Sequence, residues 1–172
     1  MPDETLHPAA LSKRELLTQC ESRRQRRSGP GGQHRNKVET AVVFTHTPTG
    51  IQGEASERRS QEQNRKVALF RLRVNLAIGS RRTIDLAKQE PSELWQARCK
   101  NRRIAVNSEH DDFPAVLAEA LDVLAACGWD AKEATEFLAF SASQLTKLLQ
   151  AEPRAFTELN RQREARGLSR LR

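Results

Sequence analysis

The stretch from Ser60 to Gly79 constrains this chain more than any other. Ser60-Gln61-Glu62-Gln63 reads as a helix start, a small hydroxyl residue before a polar first turn. Val67, Phe70, Val74 and Ile78 then recur at steps of three and four, and Leu69, Leu72 and Leu76 widen the apolar stripe. Gly79 supplies a C-cap. At 1.5 Å per residue such a helix is about 30 Å long, and one-sided enough to need a flat apolar partner. That partner lies upstream. Ala41–His46 is β-branched and aromatic, Thr47-Pro48-Thr49-Gly50 is a turn, and Ile51 to Ser56 returns as the second strand of a hairpin. Residues 18–27 read as extended, after a capping box at Ser12–Glu15 and a short helical turn over Leu16 and Leu17. The expected fold is α+β: a small sheet packed on one long helix, whose solvent face carries Arg65, Lys66, Arg71 and Arg73. Residues 1–11 show no periodicity and read as loose.

Beyond residue 80 the pattern changes to short helices. A polar connector over 80–91 leads to a helix over 92–101, whose end collects Arg98, Lys100, Arg102 and Arg103. That cluster has two readings, cations complementing a helix C-terminus or an RNA contact. Asp112 and Pro114 open a helix with Val116, Leu117, Leu121, Leu124 and Trp129 on its apolar side. Further helices open at Asp130–Glu133, at Ser141–Gln144 (carrying Leu145, Leu148 and Leu149) and at Pro153, the last ending at Gly167. The expected organisation is an α+β domain over 12–80, a basic connector with a helix over 81–110, and an all-α helical bundle with a basic tail over 111–172. Trp95 and Trp129 read as core. Cys20, Cys99 and Cys127 are far apart, with no Cys-x-x-Cys or Cys/His cluster, which argues for reduced thiols over a disulfide framework or a zinc site.

Charge divides the chain the same way. Of the net +7, residues 1–90 carry 17 basic and 10 acidic side chains, whereas residues 111–152 carry 2 basic and 8 acidic. Residues 153–172 return to 6 basic against 2 acidic. A basic first half suits a polyanionic partner. The run Glu133–Leu149 has a helix-turn-helix look, but its second helix holds a single cation, Lys147, and direct reading of DNA needs a basic footprint. The basic tail either touches RNA or offsets the acids of the bundle. No apolar run approaches a membrane span, and the N-terminus has no apolar signal core, so a cytoplasmic protein is expected, with an organelle matrix left open.

The most informative chemistry lies in residues 28–37, Ser-Gly-Pro-Gly-Gly-Gln-His-Arg-Asn-Lys. Gly31 and Gly32 allow positive φ and close approach of backbone to a ligand. Gln33 presents a side-chain carbonyl, a side-chain amine and a backbone N–H at one point. Such a loop can aim a backbone donor at a developing oxyanion while its side chain steers a water. The tripeptide holds no nucleophilic hydroxyl, thiol or metal-ligating side chain, so neither covalent nor metal chemistry is suggested.

Three blocks carry a family likeness: Gly29-Pro30-Gly31-Gly32-Gln33-His34-Arg35-Asn36-Lys37, Thr47-Pro48-Thr49-Gly50-Ile51, and Arg59-Ser60-Gln61-Glu62-Gln63-Asn64. Over roughly residues 12 to 80 the chain resembles the catalytic domain of class I peptide chain release factors. The resemblance implies hydrolysis of the ester joining a nascent peptide to tRNA, inside the ribosome, with Gly31, Gly32 and Gln33 at the reacting centre. It implies the ribosome, through large-subunit rRNA, and peptidyl-tRNA as partners of a monomer, with no cofactor, metal, DNA or membrane. Arg35, Lys37, Arg58, Arg59 and Arg65 are the candidate RNA contacts; Asn36 and Gln61 would brace the loop, and His34 would pack or touch RNA rather than act as a base. The chain departs from decoding factors: it is about half their length, has only about ten residues before the matching region, lacks any Pro-x-Thr or Ser-Pro-Phe tripeptide, and has Val38-Glu39-Thr40 where they are commonly Thr-rich. It looks like the short, codon-independent relatives that rescue stalled ribosomes. The alternative is a non-catalytic ribosome or structured-RNA binding protein with an idle loop.

Overall fold

Sheet and long helix meet closely at Gly53. A Cβ there would stand 2.3 Å from the Leu72 amide nitrogen and 2.4 Å from the Ala68 carbonyl oxygen, so only glycine lets the strand rest on the helix backbone. The computed structural model describes residues 6–25 and 41–172. Strands β1 (Cys20–Gln25), β2 (Ala41–His46) and β3 (Gln52–Ala55) form an antiparallel sheet in that order. β1 pairs with β2 from Cys20 opposite His46 to Gln25 opposite Ala41, and Phe44 lies opposite Gly53 on β3. Gly50 takes the left-handed φ of 71° that the turn before β3 requires. The Ser12 capping box is present, opening α1 (Lys13–Thr18) just ahead of the sheet.

Helix α2 (Gln61–Gly79) crosses the sheet, capped by the Ser60 hydroxyl accepting from the Gln63 amide. Its buried stripe is Asn64, Ala68, Leu69, Leu72, Arg73, Val74, Leu76 and Ala77, while Val67, Phe70 and Ile78 are only half-buried. The stripe is displaced from the expected one because α2 is covered on two sides, by the sheet and by a C-terminal helix. Arg73, expected in solvent, is therefore buried: its Nε donates to the Ala9 carbonyl at 3.1 Å and a terminal nitrogen to the Asp111 carbonyl at 2.8 Å. Residues 7–11, expected to be loose, form a 3-10 turn at Pro8–Ala10 with His7, Ala9 and Leu11 buried. The His7 ring accepts from the Ala9 amide at 3.0 Å and reaches Ser80 at 3.2 Å with its other nitrogen. These anchors lie far away in sequence, where no local period reveals them. Gly79 also differs from its expected role. It is the last helical residue, not a left-handed cap, and its missing Cβ makes room for Ile51, whose Cδ1 would stand 2.8 Å away.

Helix α3 (Glu93–Arg98) is shorter than its expected span, because Cys99–Lys100 (β4) and Arg103–Ile104 (β5) turn back as a small hairpin. Trp95 is buried edge-on to Phe140, ring centroids 5.0 Å apart, and its Nε1 donates to the Leu138 carbonyl. Four helices complete the chain: α4 (Phe113–Ala126), α5 (Ala131–Phe137), α6 (Ala142–Gln150) and α7 (Pro153–Glu164). α4 packs on α2, and a single apolar core runs from Ala9 and Leu16 through Leu72 to Leu121, Leu145 and Leu159. Trp129 is buried at φ 68°. The guanidiniums of Arg81 and Arg166 stand 6.0 and 5.9 Å from its ring centre, and buried Arg163 donates to its carbonyl. No helix among the described residues is long and apolar enough to cross a membrane.

Candidate functional site

β1 ends at Gln25 and β2 begins at Ala41, and these two residues are paired neighbours. The segment joining them holds Gly31, Gly32, Gln33, Arg35 and Lys37, with His34 and Asn36; all lie outside the described residues. Its two ends, however, are placed. Val42 pairs with Ala55, so β3 finishes at the same end of the sheet and residues 56–60 lead from there into α2. Two chain passages therefore meet at one end, and each carries arginine.

Asn64 sets the geometry of the second passage. Fully buried in the first turns of α2, its Oδ1 accepts from the Arg58 amide at 2.9 Å and its Nδ2 donates to the Arg58 carbonyl at 2.9 Å. This two-way clamp holds the junction so that Arg58 and Arg59 stand exposed. The neighbouring acid is occupied elsewhere: Glu57 accepts from Arg71 at 2.6 Å, and the Ser56 amide, with Arg71, holds its carboxyl below the usual range. One turn along α2, the Arg65 guanidinium lies 5.1 Å from the Phe44 ring centre while remaining exposed. A guanidinium over an aromatic face is held in place without losing its charge or its donors.

Between the sheet and the start of α2 lies a cavity of about 330 Å³ lined by Ser22, Arg23, Arg24, Val42, Gln61, Glu62 and Arg65. Three cations face one carboxylate, Glu62, whose own cation, Lys66, is 3.9 Å away. The positive end of α2 adds to the field. Arg23 and Arg24 have no carboxylate partner among the described residues. The arrangement is suited to phosphate: several guanidiniums, fixed by sheet and helix, around the root of a glycine-rich connection.

Of the expected RNA contacts, the structure brings Arg65 together with Arg23 and Arg24, and sets Arg58 and Arg59 on the adjoining junction. Gln61 lines the same cavity. The Asn64 clamp was not foreseen, although the sequence held its signal: Asn64 stands four residues before Ala68 and eight before Leu72, on the buried stripe. His46 is no candidate base. It sits at the far end of β2, buried, between Thr49 at 2.8 Å and Gln19 at 3.0 Å, and burial lowers its pKa.

A family profile described as the RF-1 domain matches residues 17–112, which include the sheet, α2, α3 and the hairpin. Among curated proteins, peptide chain release factor 1 of Symbiobacterium thermophilum is 55% identical over 53 residues, 31% of this chain and 15% of that protein. The protein of the same name from Levilactobacillus brevis is 42% identical over 101 residues, 59% of this chain and 25% of that protein. That of Xylella fastidiosa is 48% identical over 83 residues, 48% of this chain and 20% of that protein. The matched region thus spans a quarter or less of the length of these relatives. No solved structure matches the chain. With more than half of its residues inside the matched region, and with the glycine-rich connection, the arginine cavity and the long helix all falling within it, the chain belongs to the RF-1 domain family.

Proposed function

We propose that this protein promotes hydrolysis of the ester between a nascent peptide and the 3′ end of tRNA on the ribosome. The observation that carries the reading is the gathering of Arg23, Arg24, Arg58, Arg59 and Arg65 at the end of the sheet from which the Gly31-Gly32-Gln33 segment springs. A loop that must enter a phosphate-walled cavity needs such a collar, since most contacts to nucleic acid go to phosphate and sugar. Water adds to the ester carbonyl carbon, the bond from that carbon to the ribose 3′ oxygen breaks, and the water proton passes to the leaving oxygen. The Gln33 backbone N–H would stabilise the oxyanion or the leaving oxygen, and its side chain would position the water. Removing one such donor typically costs about 10²–10³ in rate.

The finer part of the proposal is that release needs no stop codon, and that stalled ribosomes or large subunits are the substrate. The test is peptide release from ribosomes carrying a stop codon, a sense codon or no codon in the decoding site. Similar rates are expected in all three. A rate that rises strongly only with a stop codon would overturn the rescue reading. Tight ribosome binding without release under any condition would favour the non-catalytic alternative.

A further inference from the structure

The β4–β5 hairpin breaks two local rules of sheet chemistry at one place. Its strands are joined by Asn101 and Arg102 alone, at φ 49° and 60°. A two-residue turn with positive φ at both positions strongly favours Asn-Gly, because a Cβ in the second position is strained. Here that position holds an arginine. Directly across the ladder, Lys100 faces Arg103, and like charges set opposite one another on a β pair are destabilising. Among the described residues neither has a carboxylate partner. Arg98, which the sequence placed in the same cluster, is withdrawn from it: its Nε donates to Asp112 at 2.8 Å and its terminal nitrogen contacts His110. Among the described residues Arg102 makes a long 3.3 Å hydrogen bond to the Phe140 carbonyl.

The hairpin is nevertheless held firmly. The Ala105 amide donates to the Arg98 carbonyl at 2.9 Å, Ile104 is half-buried, and β5 packs on α6. Lys100, Asn101, Arg102 and Arg103 are all exposed on this rigid support. Strained, self-repelling elements persist where surrounding structure over-determines them, and they cluster at functional sites. Three cations fixed in four residues, with an amide at the tip, match the chemistry of an RNA backbone: phosphates for the cations, a sugar hydroxyl for Asn101.

We propose that the Lys100–Arg103 hairpin is a second RNA contact, separate from the arginine collar of the loop, which orients the protein on ribosomal RNA. This rests on the ribosomal reading above. The hairpin touches no reacting atom; it is a positioning element.

The test uses the full chain with two variants, Arg102→Gly and Lys100→Gln with Arg103→Gln. Binding is measured to purified ribosomes and to protein-free ribosomal RNA over a salt series, alongside melting temperature and release at saturating protein. Both variants are expected to melt at or above the wild-type temperature, because strain or repulsion is relieved. Both are expected to bind ribosomes and protein-free RNA several-fold more weakly. The double variant should show a log–log salt slope shallower by about 0.9 for each cation removed. Release at saturation should match wild type, since the loop is untouched. Unchanged affinity and slope in both variants would overturn the proposal. So would a lower melting temperature for Arg102→Gly, which would make the Phe140 contact the purpose of that arginine. Weaker binding to ribosomes but not to protein-free RNA would overturn it in favour of an acidic protein surface. Wild-type protein that binds RNA through the hairpin yet releases no peptide would count against the proposed function and leave the hairpin contact standing.

Discussion

Two buried polar residues, Asn64 and Asp122, show how single side chains hold the site and the fold. Asn64 satisfies both backbone groups of Arg58, so Asn64→Ala leaves a half-buried amide and carbonyl without their partner. A loss of about 2 kcal/mol is expected, together with weaker ribosome binding, because Arg58 and Arg59 lose their fixed presentation. Urea unfolding and ribosome affinity measured on one preparation check this, and an unchanged affinity would detach the clamp from the site. Asp122 accepts from the Arg82 amide at 3.0 Å inside α4, and burial pushes its carboxyl up to about 7, against an ordinary 3.8. Burial pushes the His7 imidazole down to about 4 from 6.5. An acid raised on folding binds its proton more tightly in the folded state, so its contribution is present at low pH and lost as pH rises through about 7. His7 acts in the opposite sense: its contribution is present at neutral pH and is lost as pH falls through about 4. Asp122→Asn keeps an acceptor for Arg82 without titrating. The variant should therefore gain stability relative to wild type as pH rises from about 4 to 7. A difference that stays constant across that range would contradict the burial account. Neither residue announces its partner in the sequence, because both partners are backbone groups of loops whose positions only the folded chain defines.

At the scale of elements, local chemistry was most legible where it was periodic or capped. The β2–β3 hairpin, the long α2, the Ser12 box and the helix starts at Asp130, Ser141 and Pro153 all follow from period and cap residues. What was not legible depended on contacts across the chain. Arg73 reads as a surface residue until the 3-10 turn and Asp111 close over it. The β4–β5 hairpin lacks the glycine that marks such turns, so its residues pass for the end of a helix. The basic tail is the clearest case. Arg154 pairs with Glu152, Arg161 with Glu158 and Arg170 with Glu164, Arg166 lies beside Trp129, and Arg163 is buried against the Trp129 and Ser169 carbonyls. Asn160 also ties Leu171 back onto α7 through two hydrogen bonds. These contacts favour a structural tail over an RNA-binding one. Deleting residues 161–172 should lower the melting temperature by about 5 °C or more, while the salt dependence of ribosome binding stays as in wild type. A flattened salt slope at unchanged melting temperature would restore the RNA-contact reading.

Across the whole molecule, charge and core follow different divisions. The core is continuous from the 3-10 turn to α7, so the helices beyond residue 112 share their packing with the family region. Charge, by contrast, changes sign along the chain: the arginines of the loop end and the cations of the hairpin lie in the family region, whereas residues 113–152 carry six acidic side chains against two basic, and the basic residues of 153–172 offset them. The arginines at the end of the sheet are thus carried on a scaffold that the helices after residue 112 help to pack. The claim that joins these scales is that the Gly31-Gly32-Gln33 segment performs the hydrolysis and the rest delivers it. It is tested most directly by single-turnover peptide release from ribosomes carrying peptidyl-tRNA, comparing wild type with Gly32→Ala and Gln33→Ala at protein concentrations that saturate binding. If the segment acts as proposed, Gly32→Ala would add a β-carbon where backbone is to approach RNA, and in a left-handed conformation would cost about 1–2 kcal/mol besides. Gly32→Ala is expected to bind ribosomes as wild type does and to lose more release activity than Gln33→Ala. Release by Gly32→Ala at the wild-type rate would contradict the claim.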